Sequence, residues 1–367
     1  MNKVFVILTG AYGNTGDAVI RRRVLGWVRE SGEVHAYVGN APAGWIEELQ
    51  LRQSEIAYKA NQFRRWVRLL ALSRRPILVL DPGQVPLSQR ARKHELAFLV
   101  LTLVAKARGG IVIRPPRAFA RNSDRLTIAI HRTGCKLSDL TLWRVPRCTD
   151  AMGVGRSTPD TAFQEALQID NDLDRRSGVI ISMRAKRDFP SDAWFAAIAQ
   201  VVGDRKVITL SQVREDEDRS REIATRLSDL GADARLDPWG SRSDLEQERY
   251  VRALYGQSSL VISDRLHVLI LASCAGSVPL EITEHAPSKA EEHFAAIGYT
   301  GVSLNLSQAT GDAVAKFAIE AASRRASLTS LMLAAQAQLD AVESEIHGLI
   351  ARKNISEVNN HQGARKK

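Results

Sequence analysis

The sequence predicts an α/β protein: two Rossmann-like domains facing across a cleft, then a C-terminal helix. Three observations predict it. Short apolar, β-branched runs alternate with helix-period segments from Lys3 to about residue 114, and the alternation restarts at Gly178 and continues to Ile282. A polar, charged stretch from Gln168 to Ser177 separates the two series. The chain, at 367 residues, is long enough for two such domains and too long for one core. The expected division is 1–167, 178–306, a helical segment 307–353 and a disordered tail 354–367.

In the first series, Lys3 to Thr9 reads as a buried parallel strand. Gly10-Ala11-Tyr12-Gly13-Asn14-Thr15-Gly16-Asp17 turns it into a helix. That helix sets Ile20, Val24, Leu25 and Val28 on one face, with Arg21, Arg22, Arg23 and Arg29 pointing largely away. Glycines between a strand and a helix let backbone approach an anion, and the helix N-terminus adds about half a positive charge. Val34 to Val38 is a second strand, and a helix follows near Gly44 to Leu51. Asn61 to Ser73 is a basic amphipathic helix with Arg64, Arg65 and Arg68 beside Phe63, Trp66, Val67, Leu69 and Leu70. Such a helix suits either a core-packed surface or an anionic membrane. Pro76 to Leu80 is a strand leading into Asp81-Pro82-Gly83-Gln84. Glu95 to Arg108 is a helix whose apolar run, Leu96 to Ala105, reads as buried; that run is shorter than the roughly 20 residues a bilayer needs. Gly110 to Arg114 is a strand.

The second series opens with the strand Gly178 to Met183, and Arg184, Lys186 and Arg187 follow at its carboxyl end. A helix from Ser191 to Val202, a strand from Lys206 to Leu210, and helices at about Glu215–Leu230 and Asp244–Tyr255 come next. Gly231 caps the first of these two helices. A helical pattern from Ser307 to about Ile350 closes the chain.

Composition narrows the function. Hydrophobic content of 44% and charged content of 25% fit a globular protein. Three cysteines without a CxxC pair argue against a disulfide framework and a zinc site, and suit a reducing cytoplasm. The net charge of +10 favours acidic partners: phosphorylated substrates, an anionic membrane surface or nucleic acid. No leader or spanning segment is expected.

The stretch with the densest chemistry is Leu260 to Ile282, LVISDRLHVLILASCAGSVPLEI. A short strand gives way to Asp264, Arg265 and His267, then an apolar helix, a glycine turn and another strand. Ligands bind at this place in βαβ units, at strand carboxyl ends beside helix N-termini. The bland alternative is a pair of helix-start charges with a satisfied core histidine.

Arg265-Leu266-His267 with Gly276-Ser277-Val278-Pro279 resembles the C-terminal signature of the polysaccharide pyruvyl transferase family. Gly13-Asn14-Thr15-Gly16-Asp17 is similar to the family's N-terminal Gly-Asn-x-Gly-Asp motif, and Pro159-Asp160-Thr161-Ala162-Phe163 to its Pro-Asp-x-Ala-Phe segment. Ser138 to Gly153 aligns Arg144 with the family's substrate-binding arginine; the aspartate that follows in the family is Val145 here, and Pro146 is new. The family's glycine run after the third strand is replaced by Pro82 and Gly83.

The resemblance implies a GT-B-like arrangement and transfer of the enolpyruvyl group of phosphoenolpyruvate onto two hydroxyls of a sugar, giving a cyclic ketal and phosphate. Phosphoenolpyruvate is a co-substrate; no cofactor and no metal are implied. Arg265 and Arg144 would hold its carboxylate and phosphate, since the guanidinium fork binds either group bidentately. His267 would move protons, its ordinary pKa lying near 6.5. Gly13, Asn14, Gly16, Asp17, Leu266, Lys289 and Arg184 complete the expected substrate-binding set. Asp264 or Asp17 would orient the imidazole. The implied acceptor is a glycan or lipid-linked oligosaccharide of cell-envelope exopolysaccharide synthesis. The expected setting is the cytoplasm, with peripheral contact at the inner face of the plasma membrane and no nucleic acid partner. The alternative is a GT-B glycosyltransferase using a nucleotide sugar, for which Glu281 and Glu284 could read the ribose.

Overall fold

The computed structural model describes the chain except residues 1, 122, 169–175, 285–287, 310 and 365–367, and without the side chains of 311, 312 and 354–364. Most of the expected linker, Gln168 to Ser177, therefore lies outside the described residues. The chain divides into two compact units. One takes in Met1–Tyr12, Val19–Thr161 and Ala337–Lys367, and the other Gly13–Ala18 and Ala162–Gln336. The glycine turn after the first strand thus belongs to the second unit.

The first unit is built on β1 (Lys3–Ile7), α1 (Thr15–Arg29) from Val19 onward, its first turn belonging to the second unit, β2 (Glu33–Gly39), α2 (Ala43–Glu48), β3 (Ile56–Lys59), α3 (Phe63–Leu72) and β4 (Ile77–Val79). It continues through β5 (Gly83–Val85), α4 (Arg92–Ala107), β6 (Ile111–Phe119), α5 (Arg125–Leu137), β7 (Leu140–Trp143), α6 (Pro146–Met152) and β8 (Arg156–Ser157). The sheet order is β3-β2-β1-β4-β6-β7-β8, with β5 on β6, and every described pairing is parallel. Near-continuous apolar strands such as β1 and β4 fit such a sheet, because both faces are covered. Phe5, Leu78 and Val112 on one sheet face meet Trp66, Leu70, Phe98 and Leu101 from α3 and α4.

Several first-unit expectations change. β6 does not stop at Arg114. It carries on through Pro115 and Pro116 to Phe119, with a register shift against β7 between Arg114 and Arg117. Prolines cannot donate to a ladder, and an irregularity is where a strand tolerates them. Arg21 does not point away with its neighbours but is buried. The apolar face of α3 is taken up by the core, Trp66 and Leu70 being buried, while Arg64, Arg65 and Arg68 stay exposed. The α4 run read as buried is not wholly so: Leu96, Val100 and Leu103 are each about half exposed.

The second unit carries β9 (Val179–Ser182), α7 (Asp192–Val202), β10 (Val207–Thr209), α8 (Glu217–Asp229), β11 (Ala234–Leu236) and α9 (Asp244–Gln257). Then come β12 (Leu260–Ser263), α10 (Leu266–Cys274), β13 (Val278–Thr283), α11 (Lys289–Ala295), β14 (Ser303–Asn305) and α12 (Gly311–Ser323). Its sheet runs β11-β10-β9-β12-β13-β14, again all parallel among the described pairs. The helix starts follow capping chemistry. Ser191 accepts from Trp194 N at 3.3 Å, and Ser243 with Glu246 forms a capping box on α9. The core joins Val179, Ile181, Ile262 and Leu280 to Trp194, Phe195, Ile198 and Phe317.

The last helix, α13, spans Arg325–Ala364 and is shared between the units. In its first-unit part, His347 Nε2 donates to Trp27 O at 2.8 Å, and Glu345 pairs with Arg156. Residues 354–364, expected as a disordered tail, are helical in their backbone.

Candidate functional site

In parallel sheets of this order, ligands bind beyond the strand carboxyl ends where the order reverses. In the second unit that point lies between β9 and β12. The two strands are tied there by Ser263 Oγ, which donates to Ser182 O at 2.5 Å, and Arg265 N donates to Ser263 Oγ at 3.0 Å. Asp264 and Arg265 thus emerge at the sheet edge with fixed backbone.

Two buried carboxylates organise the arginines here. Asp264 accepts from Arg184 N at 3.0 Å and pairs with Arg187 Nη1 at 3.2 Å. Asp216, at the start of α8, accepts from Ala185 N at 2.9 Å and from Arg265 Nε at 2.6 Å, with Arg265 Nη2 also on it. Arg219 donates to the carbonyls of Ala185, Arg187 and Asp188, and so pins the loop after β9 from below. Burial pulls the Arg184 guanidinium below its ordinary value, with Asp264 opposing. Met183, Arg184, Arg187, Arg219, Asp264 and Glu284 line a crevice at this edge. Glu284 holds Ser191 through its N and Oγ. Glu281 is buried and bonded to Ser288 Oγ, and burial raises its carboxyl above the usual range.

The second feature is an encounter of two helix starts. A Cβ built on Gly16 would lie 2.3 Å from His267 Cβ and 2.4 Å from its Nδ1. No side chain fits, so glycine is what lets the first turn of α1 reach the first turn of α10. Gly13 supports the turn with a φ of 79°. Asn14 Nδ2 donates to Asp17 Oδ2 at 2.9 Å, and Thr15 Oγ1 donates to Gln212 O at 3.3 Å. Two N-termini, each with partial positive charge, meet next to Arg265, the residue before α10, which Asp216 ties to the loop that carries Arg184 and Arg187.

The sequence-predicted residues are therefore placed as follows. Gly13, Asn14, Gly16, Asp17, Arg184, Arg265, Leu266 and His267 share the second unit. Leu266 is buried as the first residue of α10, and Asp264 turns its carboxylate to Arg184 and Arg187. Lys289 is exposed at the start of α11 and does not line the crevice. Arg144 is in the first unit, buried, its Nη1 2.5 Å from Asp160 Oδ2. Asp216 and Arg219 were missed: in Arg-Glu-Asp-Glu-Asp-Arg they read as ordinary helix-start charges. Among the described residues no group of three His, Cys, Asp or Glu could hold a metal ion.

The first unit has a separate cavity of about 440 Å³ beyond the ends of β1 and β2. Tyr12, Tyr37, Phe63, His94 and Phe98 wall it, and no lysine or arginine lines it. At the first unit's own order reversal, between β1 and β4, Arg21 fills the space. Its Nε donates to Thr9 O at 2.5 Å, its Nη2 to Pro82 O at 3.4 Å, and Asp81 Oδ2 lies 4.0 Å away.

No family model matches the sequence, and no curated protein matches it. Solved structures do. The Anabaena protein Alr3699/HepE, in complex with UDP and glucose, is 12% identical, with a TM-score of 0.58 over 97% of this chain and 100% of that one. A putative UDP-N-acetylglucosamine 2-epimerase from Listeria monocytogenes is 13% identical, with a TM-score of 0.52 over 90% of each chain. The spinosyn rhamnosyltransferase SpnG is 11% identical, with a TM-score of 0.51 over 94% of this chain and 100% of that one.

The fold is GT-B. At these identities the likeness is one of fold.

The expectation of a phosphoenolpyruvate-dependent pyruvyl transferase is overturned. No family model supports it, and the GT-B structures above are a UDP-and-glucose complex, a putative epimerase and a rhamnosyltransferase. The two arginines meant for the carboxylate and phosphate, Arg144 and Arg265, lie in different units, and each is matched by a buried aspartate of its own unit, Asp160 and Asp216.

Among the described residues, no helix is long and apolar enough to cross a membrane.

Proposed function

We propose that this chain is a glycosyltransferase that takes a nucleoside-diphosphate sugar, with the donor held on the second unit. The observation that carries the reading is the meeting of the α1 and α10 N-termini, through Gly16 against His267, beside Arg184, Arg187 and Arg265. A diphosphate needs backbone N–H donors and cations over a short span, and that is what this edge offers. Glu284, which lines the crevice, suits the ribose hydroxyls. Glu281 does not, because it is buried and does not line the crevice; Glu284 would exchange its bonds to Ser191 for those hydroxyls. Met183 and Pro190 give apolar wall beside them. The UDP in the HepE complex supports a uridine nucleotide as the first donor to try. The first unit's aromatic cavity, without a lysine or arginine in its lining, suits an uncharged ring of the acceptor.

In this reading, Arg187 and Arg265 balance the charge that develops on the departing diphosphate, and the protein's two helix dipoles stabilise the same charge. His267 is the imidazole at that point and takes the acceptor's hydroxyl proton.

Titration calorimetry with UDP and UMP tests the site. UDP should bind at least tenfold more tightly, since one charge-assisted contact set is worth about 1.5–3 kcal/mol. His267→Ala should keep UDP binding and lower UDP release from a UDP-sugar with acceptor by roughly 10²–10⁴. UDP and UMP binding alike would withdraw the diphosphate site. UDP-sugar epimerised without UDP release would replace transfer with isomerisation.

A further inference from the structure

The outer face of α4 and α5 has no part in the reading above. These helices run side by side, joined by Glu95 to His131 Nδ1 at 2.6 Å near one end and Lys106 to Asp139 at 2.8 Å near the other. Residues four and three apart on α4, Leu96, Val100 and Leu103, stand about half exposed. On α5, Leu126 is 53% exposed and Leu137 36%, with Ile130 half-buried between them at the same helical spacing. The apolar rows border the seam between the helices, because the buried pair Glu95–His131 fixes the adjoining faces. Elsewhere the exposed large apolar residues, such as Leu72, Leu230 and Ile319, are spread over separate helices and loops.

Charge says what covers this face. The two helices carry Arg92, Lys93, Lys106, Arg125, Arg132 and Lys136 against one acid, Glu95, which is buried; Asp124 and Asp139 at the helix ends pair with Arg92 and Lys106. Arg64, Arg65 and Arg68 stand exposed on neighbouring α3. A protein partner of ordinary composition would need compensating acids placed one by one. An anionic bilayer supplies negative charge at any position, and the half-exposed leucines can enter its headgroup boundary.

We propose that the α4–α5 face docks the protein on an anionic membrane surface. The basic helix picked out in the sequence, α3, cannot insert, because its apolar side is already buried; α4 and α5 bring the apolar contacts and α3 adds charge. The proposal stands apart from the donor reading and concerns a different unit.

Vesicle co-sedimentation of the full chain tests it. Binding to phosphatidylcholine vesicles with about 30% phosphatidylglycerol should be at least tenfold tighter than to phosphatidylcholine alone, and should fall as salt rises. Leu96→Glu with Leu126→Glu should weaken it at least tenfold. Lys93→Glu with Lys136→Glu, which leaves the leucines in place, should weaken it and flatten the salt dependence. All four positions are exposed, so the melting temperature should stay within about 2 °C. Equal binding to both vesicle types, or unchanged binding by both variants, overturns the proposal. So does a chain that is dimeric without lipid and becomes monomeric in the leucine variant, because a second copy would then own the face.

Discussion

Both sheets carry a first strand flanked by the second and fourth strands of its own series, so each has one point where the order reverses, yet the two points are filled in opposite ways. Beyond β1 and β4, Arg21 is turned inward, bonded to Thr9 O and Pro82 O, with Asp81 close by and Trp45 under its guanidinium at 5.6 Å. A Cβ on Gly10 would fall 2.6 Å from Arg21 Cζ, so the plug is fitted to the turn. Beyond β9 and β12 the acids are inside instead. Asp216 and Asp264 are buried, and Arg184, Arg187 and Arg265 lie over them, partly exposed. Topology makes a crevice at each reversal; whether a ligand can use it depends on which charge the chain buries there.

The largest expected effect breaks the plug. Arg21→Met should cost about 3–5 kcal/mol of stability, the usual penalty for removing one partner from a buried polar network. Its melting temperature should drop accordingly while UDP affinity per folded molecule is kept. An Arg21→Met protein with normal stability and lost UDP binding would show that the first reversal point is the ligand site and invert the comparison.

Gly16→Ala is the smaller test of the open point. The new Cβ would meet His267 Cβ, an atom that cannot swing aside, so the two helix starts must separate. Overpacking of this kind costs about 1–3 kcal/mol. UDP affinity should fall at least tenfold, by more than the stability loss explains. Unchanged affinity, measured by calorimetry, would remove the helix encounter from the site.

Acid should separate the units more gently. Burial lowers His131 below its ordinary pKa even though Glu95 pulls the other way, and burial also lowers His35. Below about pH 6.5 the unfolded chain takes up protons that these folded histidines refuse. Stability is therefore full above that pH and declines as the pH falls, by at most about 1.4 kcal/mol per pH unit for each histidine. Both are in the first unit, so hydrogen exchange at pH 5.5 should show its amides losing protection before those around β9 and β12. Simultaneous loss in both units would mean that the two histidines are not what acid acts on.

Two parallel-sheet α/β units were legible in the chain because β-branched runs and helical periods are local signals, read within a window of a dozen residues. So were the glycine turn and Asp264-Arg265-Leu266-His267, since a strand end followed by a helix start is also a local event. What these motifs do was misread: the resemblance led to phosphoenolpyruvate, whereas the similar folds are a UDP-and-glucose complex, a putative epimerase and a rhamnosyltransferase. The partners of the two expected arginines were not legible either: Arg144 pairs with Asp160 and Arg265 with Asp216. Asp160 is 16 residues from Arg144, and Asp216 is 49 from Arg265, beyond any periodicity. The leucines of α4 looked buried because an apolar run gives no hint of which side a sheet will cover. Arg21 looked solvated for the converse reason.

The sequence by itself determined the element types and the parallel character of both sheets, and it put Arg184, Asp264, Arg265 and His267 at strand ends, but not Asp216 and Arg219 beside them. Only the tertiary structure decided which charges face inward, that Gly16 brings α1 against His267, and that α4 and α5 leave an apolar, basic-rimmed face. The reason is physical. Backbone and periodicity preferences act between near neighbours along the chain, whereas burial and ion pairing are set by what the fold places across from a residue, from tens to hundreds of positions away.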